Sequence, residues 1–249
     1  MDRRAVLGLG GAVAVGTLLA PGIRLLAAPQ PSSSSVPNKT EALATQRWAM
    51  LIDVNKCSAD CSSCIAACRE ENHVPMFGDA DRDIHWIRKV ELRDRERRKP
   101  TLSLPALCNH CEHPPCVHVC PTGASFIRKD GLVLIDEHRC IGCRYCIIAC
   151  PYKSRSLVYF STQMPIGGNP KIPIRAKGVV EKCTFCVHRI DEGLQPACVE
   201  ACSRSGGGAM LFGDLNDPKT EISQRVKMLR TEVMREDLGL KPHVHYQGL

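Results

Sequence analysis

The 249-residue sequence predicts an α+β fold of tandem, duplicated modules, with short strands and helices gathered around cysteine-bound groups. Three observations predict it. The chain holds 16 cysteines, and they fall into four runs of four, at 57/61/64/68, 108/111/116/120, 140/143/146/150 and 183/186/198/202. Aromatic residues make up only 4%, so something other than packed rings must hold the interior. Short apolar segments of strand character stand beside the runs, at 48–54, 84–92, 102–107, 131–136 and 156–160.

The third run carries the most information. It reads Cys140-Ile-Gly-Cys143-Arg-Tyr-Cys146-Ile-Ile-Ala-Cys150-Pro151, a C-x2-C-x2-C-x3-C-P spacing. That is the bacterial ferredoxin run, in which three cysteines hold one iron–sulfur cluster and the fourth holds a second. Three thiolates from one tight loop grip three irons of one cube. Cys150 lies four residues past Cys146, a little over one helical turn, and so reaches a different cube. Pro151 then stops the helix. Such a run needs a partner run, and three others are present. The first is Cys57-x3-Cys61-x2-Cys64-x3-Cys68 and the second is Cys108-x2-Cys111-x4-Cys116-x3-Cys120-Pro121. The fourth is Cys183-x2-Cys186-x11-Cys198-x3-Cys202. The fold class becomes bacterial-ferredoxin-like modules around four cubane [4Fe-4S] clusters.

Other uses of cysteine fit less well. C-x2-C neighbours are poorly placed to staple distant segments by disulfides. Zinc sites pair C-x2-C units across a spacer, unlike the dense third run with its proline. No C-x-x-C-H occurs, which argues against covalent haem in this chain.

The formal charge of +7 suggests nucleic acid at first sight. Each cluster with four thiolates carries about −2 by ligand count, so four contribute about −8 and cancel the excess. No nucleic-acid partner is expected, and no DNA-binding element stands out. There is no nucleotide-binding glycine motif and no flavin signature, which argues against a self-contained enzyme. The run Arg93-Asp94-Arg95-Glu96-Arg97-Arg98-Lys99 is mixed in sign and reads as a solvated hairpin tip or a docking edge.

Residues 1–28 read as a targeting segment. Arg3-Arg4 precedes an apolar, glycine-rich stretch from Ala5 to Ala20, with Arg24 beyond it. Twin arginines in this setting suggest twin-arginine export of folded protein to the periplasm, which suits clusters assembled in the cytoplasm. Asp2 and Val6 depart from the usual motif, and Leu25 and Leu26 make a poor cleavage site. The segment is therefore either removed or retained as a membrane anchor. Residues 29–46 are a Pro/Ser-rich linker. No other stretch reaches the length of a spanning helix. A four-cluster domain is expected over 47–215, with a loop at 161–179 and a turn at Ser205-Gly-Gly-Gly208. Over 216–249 a helix starting at Asp217-Pro218 and a tail are expected, with Ile222, Val226 and Leu229 on one face.

On these runs, the chain resembles the four-cluster, ferredoxin-like electron-transfer subunits of membrane-associated oxidoreductases. They serve polysulfide, thiosulfate, tetrathionate, dimethyl sulfoxide and nitrite reductase systems. The resemblance spans about residues 47–218. It rests on Cys108-Asn-His-Cys111-Glu-His-Pro-Pro-Cys116, Cys120-Pro-Thr-Gly-Ala124, Cys140 to Tyr152, and Phe212-Gly-Asp-Leu-Asn-Asp-Pro218. Within the family, the leader, the Cys57-x3-Cys61 spacing and the ending Lys241-Pro-His-Val-His-Tyr246 look most like the DsrO-type subunits of the Dsr membrane complex.

The resemblance implies a crossed ligand pairing that also suits the helical reach of Cys150. Cys57, Cys61, Cys64 and Cys202 would hold one cluster, and Cys183, Cys186, Cys198 and Cys68 its neighbour. Cys108, Cys111, Cys116 and Cys150 would hold the third, and Cys140, Cys143, Cys146 and Cys120 the fourth. It implies an electron conduit with no catalytic site. Its partners would be an integral membrane quinone-interacting subunit and another redox subunit, such as a multihaem cytochrome c, with further Dsr-type subunits. Membrane association would come through partners or the retained leader. The alternative is an electron-transfer subunit of a molybdopterin terminal reductase. Several side residues invite attention. His110, His113 and His118 stand inside the second run, but a full cysteine complement argues for places at the surface or behind the ligands. Tyr145 and Phe185 are expected to pack and exclude water. His243 and His245 are expected in a solvated tail or against a partner.

Overall fold

Each cysteine run sits between a strand that delivers it and a helix that closes it. The structure is a computed structural model describing residues 45–79, 81–92, 102–161 and 169–249. The leader, the linker up to 44, the charged stretch 93–99 and loop residues 162–168 lie outside the described residues.

Strand β1 (Trp48–Asp53) precedes the first run, whose helix α1 (Ser63–Glu71) carries Cys64 and Cys68. Strands β2 (Ile87–Leu92) and β3 (Leu102–Leu107) pair antiparallel, Ile87 opposite Leu107, and β3 ends directly before Cys108. Helix α2 (Pro115–His118) follows, with proline in its first turn where its missing N–H costs nothing. Strands β4 (Ser125–Ile127) and β5 (Val133–Ile135) form the next antiparallel pair and lead to helix α3 (Tyr145–Ala149), which Cys150 terminates. Strands β6 (Ser156–Leu157) and β7 (Val180–Glu181) pair before the fourth run. Helices α4 (Val187–Ile190) and α5 (Ala197–Ser205) close it, α5 carrying Cys198 and Cys202. The chain finishes with β8 (Met210–Asp214), α6 (Glu221–Met228) and β9 (Val244–Gln247).

The largest sheet has the order β8-β1-β9, with β1 antiparallel to β8 and parallel to β9. This explains the unbroken apolar run of β1. A central strand covered on both faces has no polar side to show. Ala49 and Leu51 pack with Ile222 of α6, while Met50 and Ile52 face the cysteine-bearing core. Helix α1 lies against α5, and α2 against α3. The first run thereby meets the fourth, and the second meets the third. Arg189 fastens the first junction: its guanidinium donates to Glu71 of α1 at 2.9 Å and reaches Glu200 of α5 at 2.7 Å. A buried Arg175–Glu181 ion pair holds β7, with Trp86 Nε1 donating to Glu181 at 3.2 Å.

The expected strands are present, trimmed at their ends: 84–92 becomes Ile87–Leu92, and 156–160 becomes Ser156–Leu157. Two expectations for 216–249 are corrected. The helix starts after Asp217-Pro218, because the Thr220 hydroxyl takes the capping place and accepts from Ser223 N at 3.3 Å. The last residues are no tail. Val244 and Tyr246 alternate inward beside β1, and Tyr246 Oη donates to Pro105 O at 3.1 Å. His243 is accordingly buried, and His245 partly so. No helix among the described residues is long and apolar enough to cross a membrane.

Candidate iron–sulfur sites

A C-x2-C loop can turn both thiols to one side only if the chain reverses sharply before the second cysteine. Three of the four runs do this with a residue in the left-handed region: His110 (φ 42°), Gly142 (φ 65°) and Phe185 (φ 56°). At 142 glycine is obligatory, since a Cβ there would lie 1.9 Å from the carbonyl oxygen of Gly178. His110 and Phe185 hold the same strained backbone and stack on one another, ring centroids 3.9 Å apart and 23° between planes. Phe185 meets Phe212 edge-on at 5.4 Å, and Phe212 stacks on Trp48 at 5.4 Å. The few rings of this chain form a ladder that pins the second and fourth runs to the main sheet.

All sixteen thiols are free. Their electrostatic neighbours show which the fold brings together. Burial pushes the Cys64 thiol up to about 11, helped by the nearby thiols of Cys202, Cys57 and Cys61. Burial raises Cys68 strongly, followed by Cys183, Cys198 and Cys186. Burial pushes Cys111 up to about 12, followed by Cys108, Cys116 and Cys150. These last four also line one cavity with Pro151, Tyr152 and Arg155. Cys146 is raised by burial, opposed by Arg155, with Cys140 and Cys120 adding to the rise. Cys143 is the exposed cysteine of its run. Thiols that raise one another in buried pockets disfavour ionisation together unless a cation centre joins them. Four thiolates around iron satisfy that demand, so these residues fit the group that the spacing implies.

The sets adjoin one another in series, the last junction being marked by Cys116 packed in one buried cluster with Cys146, and Cys140 against it. Cys64 is among the neighbours that raise Cys198, and Cys108 among those that raise Cys183. The i, i+4 cysteines on α1 and α5 explain the crossing: one helical turn separates the two thiols, so each serves a different pocket.

Hydrogen bonds reach the sulfurs from backbone and side chains. Val180 N donates to Cys140 Sγ at 3.4 Å, Ser125 N to Cys120 Sγ at 3.4 Å, and Phe185 N to Cys183 Sγ at 3.5 Å. Asn72 Nδ2 donates to Cys186 Sγ at 3.5 Å and Cys68 Sγ at 3.8 Å. Donors of this kind stabilise thiolates and tune whatever they ligate.

Sequence reasoning missed two residues. Arg155, 4% exposed, donates through Nη2 to Cys116 Sγ at 2.8 Å and Ser125 Oγ at 2.9 Å. Lys182, 2% exposed, donates through Nζ to the carbonyls of Val133 and Cys183. A lone basic residue near a cysteine run carries no local signal of burial. Of the places expected for His110, the structure shows the one behind the sulfurs, and it corrects the expectation for Tyr145. The His110 Nε2 pairs with Cys183 O at 3.0 Å, and its Nδ1 accepts from Val133 N at 3.1 Å. Tyr145 is 59% exposed rather than packed, because it shares the outward face of the short helix α3 with Ile148 while Cys146 takes the inward face. Phe185 is buried as expected.

Known proteins resemble this chain over most of its length. The 4Fe-4S dicluster domain family matches residues 100–164 and 171–215. The chain is similar to the Hdr-like menaquinol oxidoreductase iron-sulfur subunit 1 of Archaeoglobus fulgidus, 43% identical over 100% of this chain and 98% of that protein. It is 40% identical to a tetrathionate reductase subunit of Salmonella typhimurium, over 86% of this chain and 77% of that one. It is 34% identical to the menaquinone reductase iron-sulfur cluster-binding subunit of Nitratidesulfovibrio vulgaris, over 80% of this chain and 88% of that one.

Proposed function

Because this chain belongs to the family of iron–sulfur electron-transfer subunits with 4Fe-4S dicluster domains, we propose that it conducts electrons along its length and has no catalytic site of its own. Its cofactors are four [4Fe-4S] clusters. Bound clusters supply reversible one-electron chemistry, and the chain supplies spacing, insulation and potential. The observation that carries the reading is the serial order of the thiol sets. By that order 57/61/64/202 adjoins 68/183/186/198, which adjoins 108/111/116/150, which adjoins 120/140/143/146. Each set is proposed to hold one cluster, in duplicated ferredoxin-like modules that pair the first run with the fourth and the second with the third. Thiols of the two inner sets are mostly buried, whereas both outer sets keep partly exposed cysteines. Electrons therefore enter and leave at the ends.

One end is proposed to face an integral membrane subunit that handles quinone. The likeness to subunits of a menaquinol oxidoreductase and a menaquinone reductase supports this. The other end would face a second redox subunit, such as a multihaem cytochrome c, in a Dsr-type complex of sulfur metabolism. The Cys57-x3-Cys61 spacing and the ending Lys241-Pro-His-Val-His-Tyr246 support that narrower assignment. Arg3-Arg4 supports placement on the periplasmic face after twin-arginine export. A second reading is favoured by the likeness to a tetrathionate reductase subunit: electron delivery to or from a molybdopterin catalytic subunit.

Anaerobic purification of the native complex tests these together. About sixteen irons and sixteen sulfides per chain are expected. A co-purifying polytopic membrane subunit and a c-type cytochrome support the first reading, and a molybdopterin subunit supports the second. An iron count near twelve, or stoichiometric zinc, overturns the four-cluster assignment. Replacing Arg3 and Arg4 by lysine should leave cluster-loaded protein in the cytoplasm, and unchanged export would refute that route.

A further inference from the structure

Two buried cations stand between the thiol sets without a carboxylate partner. Arg155 links the third set to the fourth. It bonds Cys116 Sγ directly, and the thiols of Cys108 and Cys146 lie within its electrostatic reach. Its Nη1 is buried and has no hydrogen-bond partner among the described residues. Lys182 links the second set to the third, acting on Cys183 and on Cys116. Among the described residues its ammonium donates to the carbonyls of Val133 and Cys183 alone. Among the described residues, no carboxylate oxygen comes within 4.0 Å of either side chain.

Burying a charge is costly unless an opposite charge accompanies it. Another buried basic group here obeys the rule, Arg175 being set against Glu181, and the half-buried Arg128 likewise holds Asp130. Arg155 and Lys182 have carbonyls, one hydroxyl and thiols instead. Dipoles of that kind orient a cation but do not neutralise it. The missing counter-charge is supplied when the thiols around them bind iron as thiolates.

We propose that Arg155 and Lys182 are built-in counter-cations that raise the reduction potentials of the clusters on either side of them. Reduction adds one negative charge to a cluster, and a fixed cation in a low-dielectric interior stabilises the reduced form more than the oxidised form. Arg155 acts on the sets 108/111/116/150 and 120/140/143/146. Lys182 acts on 68/183/186/198 and 108/111/116/150. The set 57/61/64/202 touches neither. The two residues thus set a gradient along the conduit, highest where their influences overlap and lowest at the first-run end. The proposal rests on the cluster assignment above, and the test keeps the two apart.

Full-length protein is purified anaerobically as wild type, Arg155→Gln, Arg155→Lys, Lys182→Met, Lys182→Arg and the Gln/Met double variant. Iron and sulfide are counted first, and a wild-type count below sixteen sinks the assignment before any potential is read. Redox titration followed by electron paramagnetic resonance then reads the midpoints. Arg155→Gln should shift two of the four to more negative values, Lys182→Met two, and the double variant three, leaving one unmoved. Arg155→Lys and Lys182→Arg should stay near wild type. Unchanged midpoints, or an equal shift of all four, overturn the proposal. If the neutral variants lose clusters, the charge-keeping variants decide. Full loading in them shows the cation to be what the site requires, whereas loss in them too assigns the role to side-chain shape and refutes a charge effect.

Discussion

Replacing Phe185 by alanine and, separately, by glycine tests whether the second and fourth runs are clamped by a strained residue. Phe185 is 1% exposed and touches two rings, His110 at 3.9 Å and Phe212 at 5.4 Å. Truncating a buried phenylalanine to alanine costs about 3–5 kcal/mol, and two ring contacts account for about 1–3 kcal/mol of that. The backbone adds a second effect. At φ 56° any side chain bears strain that glycine does not, worth about 1–2 kcal/mol. Glycine ordinarily destabilises relative to alanine, by about 0.5–1 kcal/mol in regular structure. Here the order should invert, with wild type most stable, Phe185→Gly next and Phe185→Ala least. The net advantage of glycine over alanine is about 1 kcal/mol, or about fivefold in an equilibrium or lifetime. Unfolding of a cluster protein is not a clean two-state equilibrium, so lifetimes are the quantity to compare. The assay is anaerobic guanidinium unfolding, followed by loss of visible cluster absorbance and by far-ultraviolet circular dichroism. If the alanine variant outlasts the glycine variant, the left-handed strain at 185 does not govern the clamp. If alanine stays within twofold of wild type, the ring ladder holds nothing together.

Three further outcomes are expected. Gly142→Ala places a methyl 1.9 Å from Gly178 O, so the loop of Cys140 and Cys143 cannot close and iron should drop by about four per chain; an unchanged count refutes the close approach. Cys150→Ser should perturb the cluster of the 108/111/116 set and Cys120→Ser that of the 140/143/146 set, read by which resonance signals vanish or turn three-iron in character; the reverse assignment refutes the crossed pairing. His243 is pushed from 6.5 down to about 4 by burial and by Arg47 at 3.4 Å, offset partly by Glu112. Its folded form resists protonation, so the unfolded chain takes the proton first. Stability is complete above about pH 6.5 and falls by up to about 3 kcal/mol as pH drops towards 4. His243→Asn should flatten that part of the wild-type profile, and an unaltered pH slope counts against it.

What the sequence alone determines here is local. Four thiols per run, the C-x2-C loops and the x3 step before the last cysteine follow from covalent spacing and from the period of a helix. For that reason the cysteines and the short strands beside them are legible in the letters, and the crossed reach of Cys150 is an expectation drawn from them. The strand Leu102–Leu107 has the expected boundaries because its apolar run ends where the ligands begin. Other features depend on segments far apart in the chain, and only the tertiary structure decides them. Cys64 and Cys202 become neighbours because α1 lies on α5, which no spacing dictates. His110 looks like a polar loop residue until Phe185 arrives from another run to cover it. The ending 243–247 reads as a tail until β1 offers it an open edge, whose unpaired backbone groups must find partners. Arg155 and Lys182 are ordinary basic letters in the sequence. Burial without a carboxylate is a property of the fold, and it is what gives them an electrostatic role beside the thiol sets.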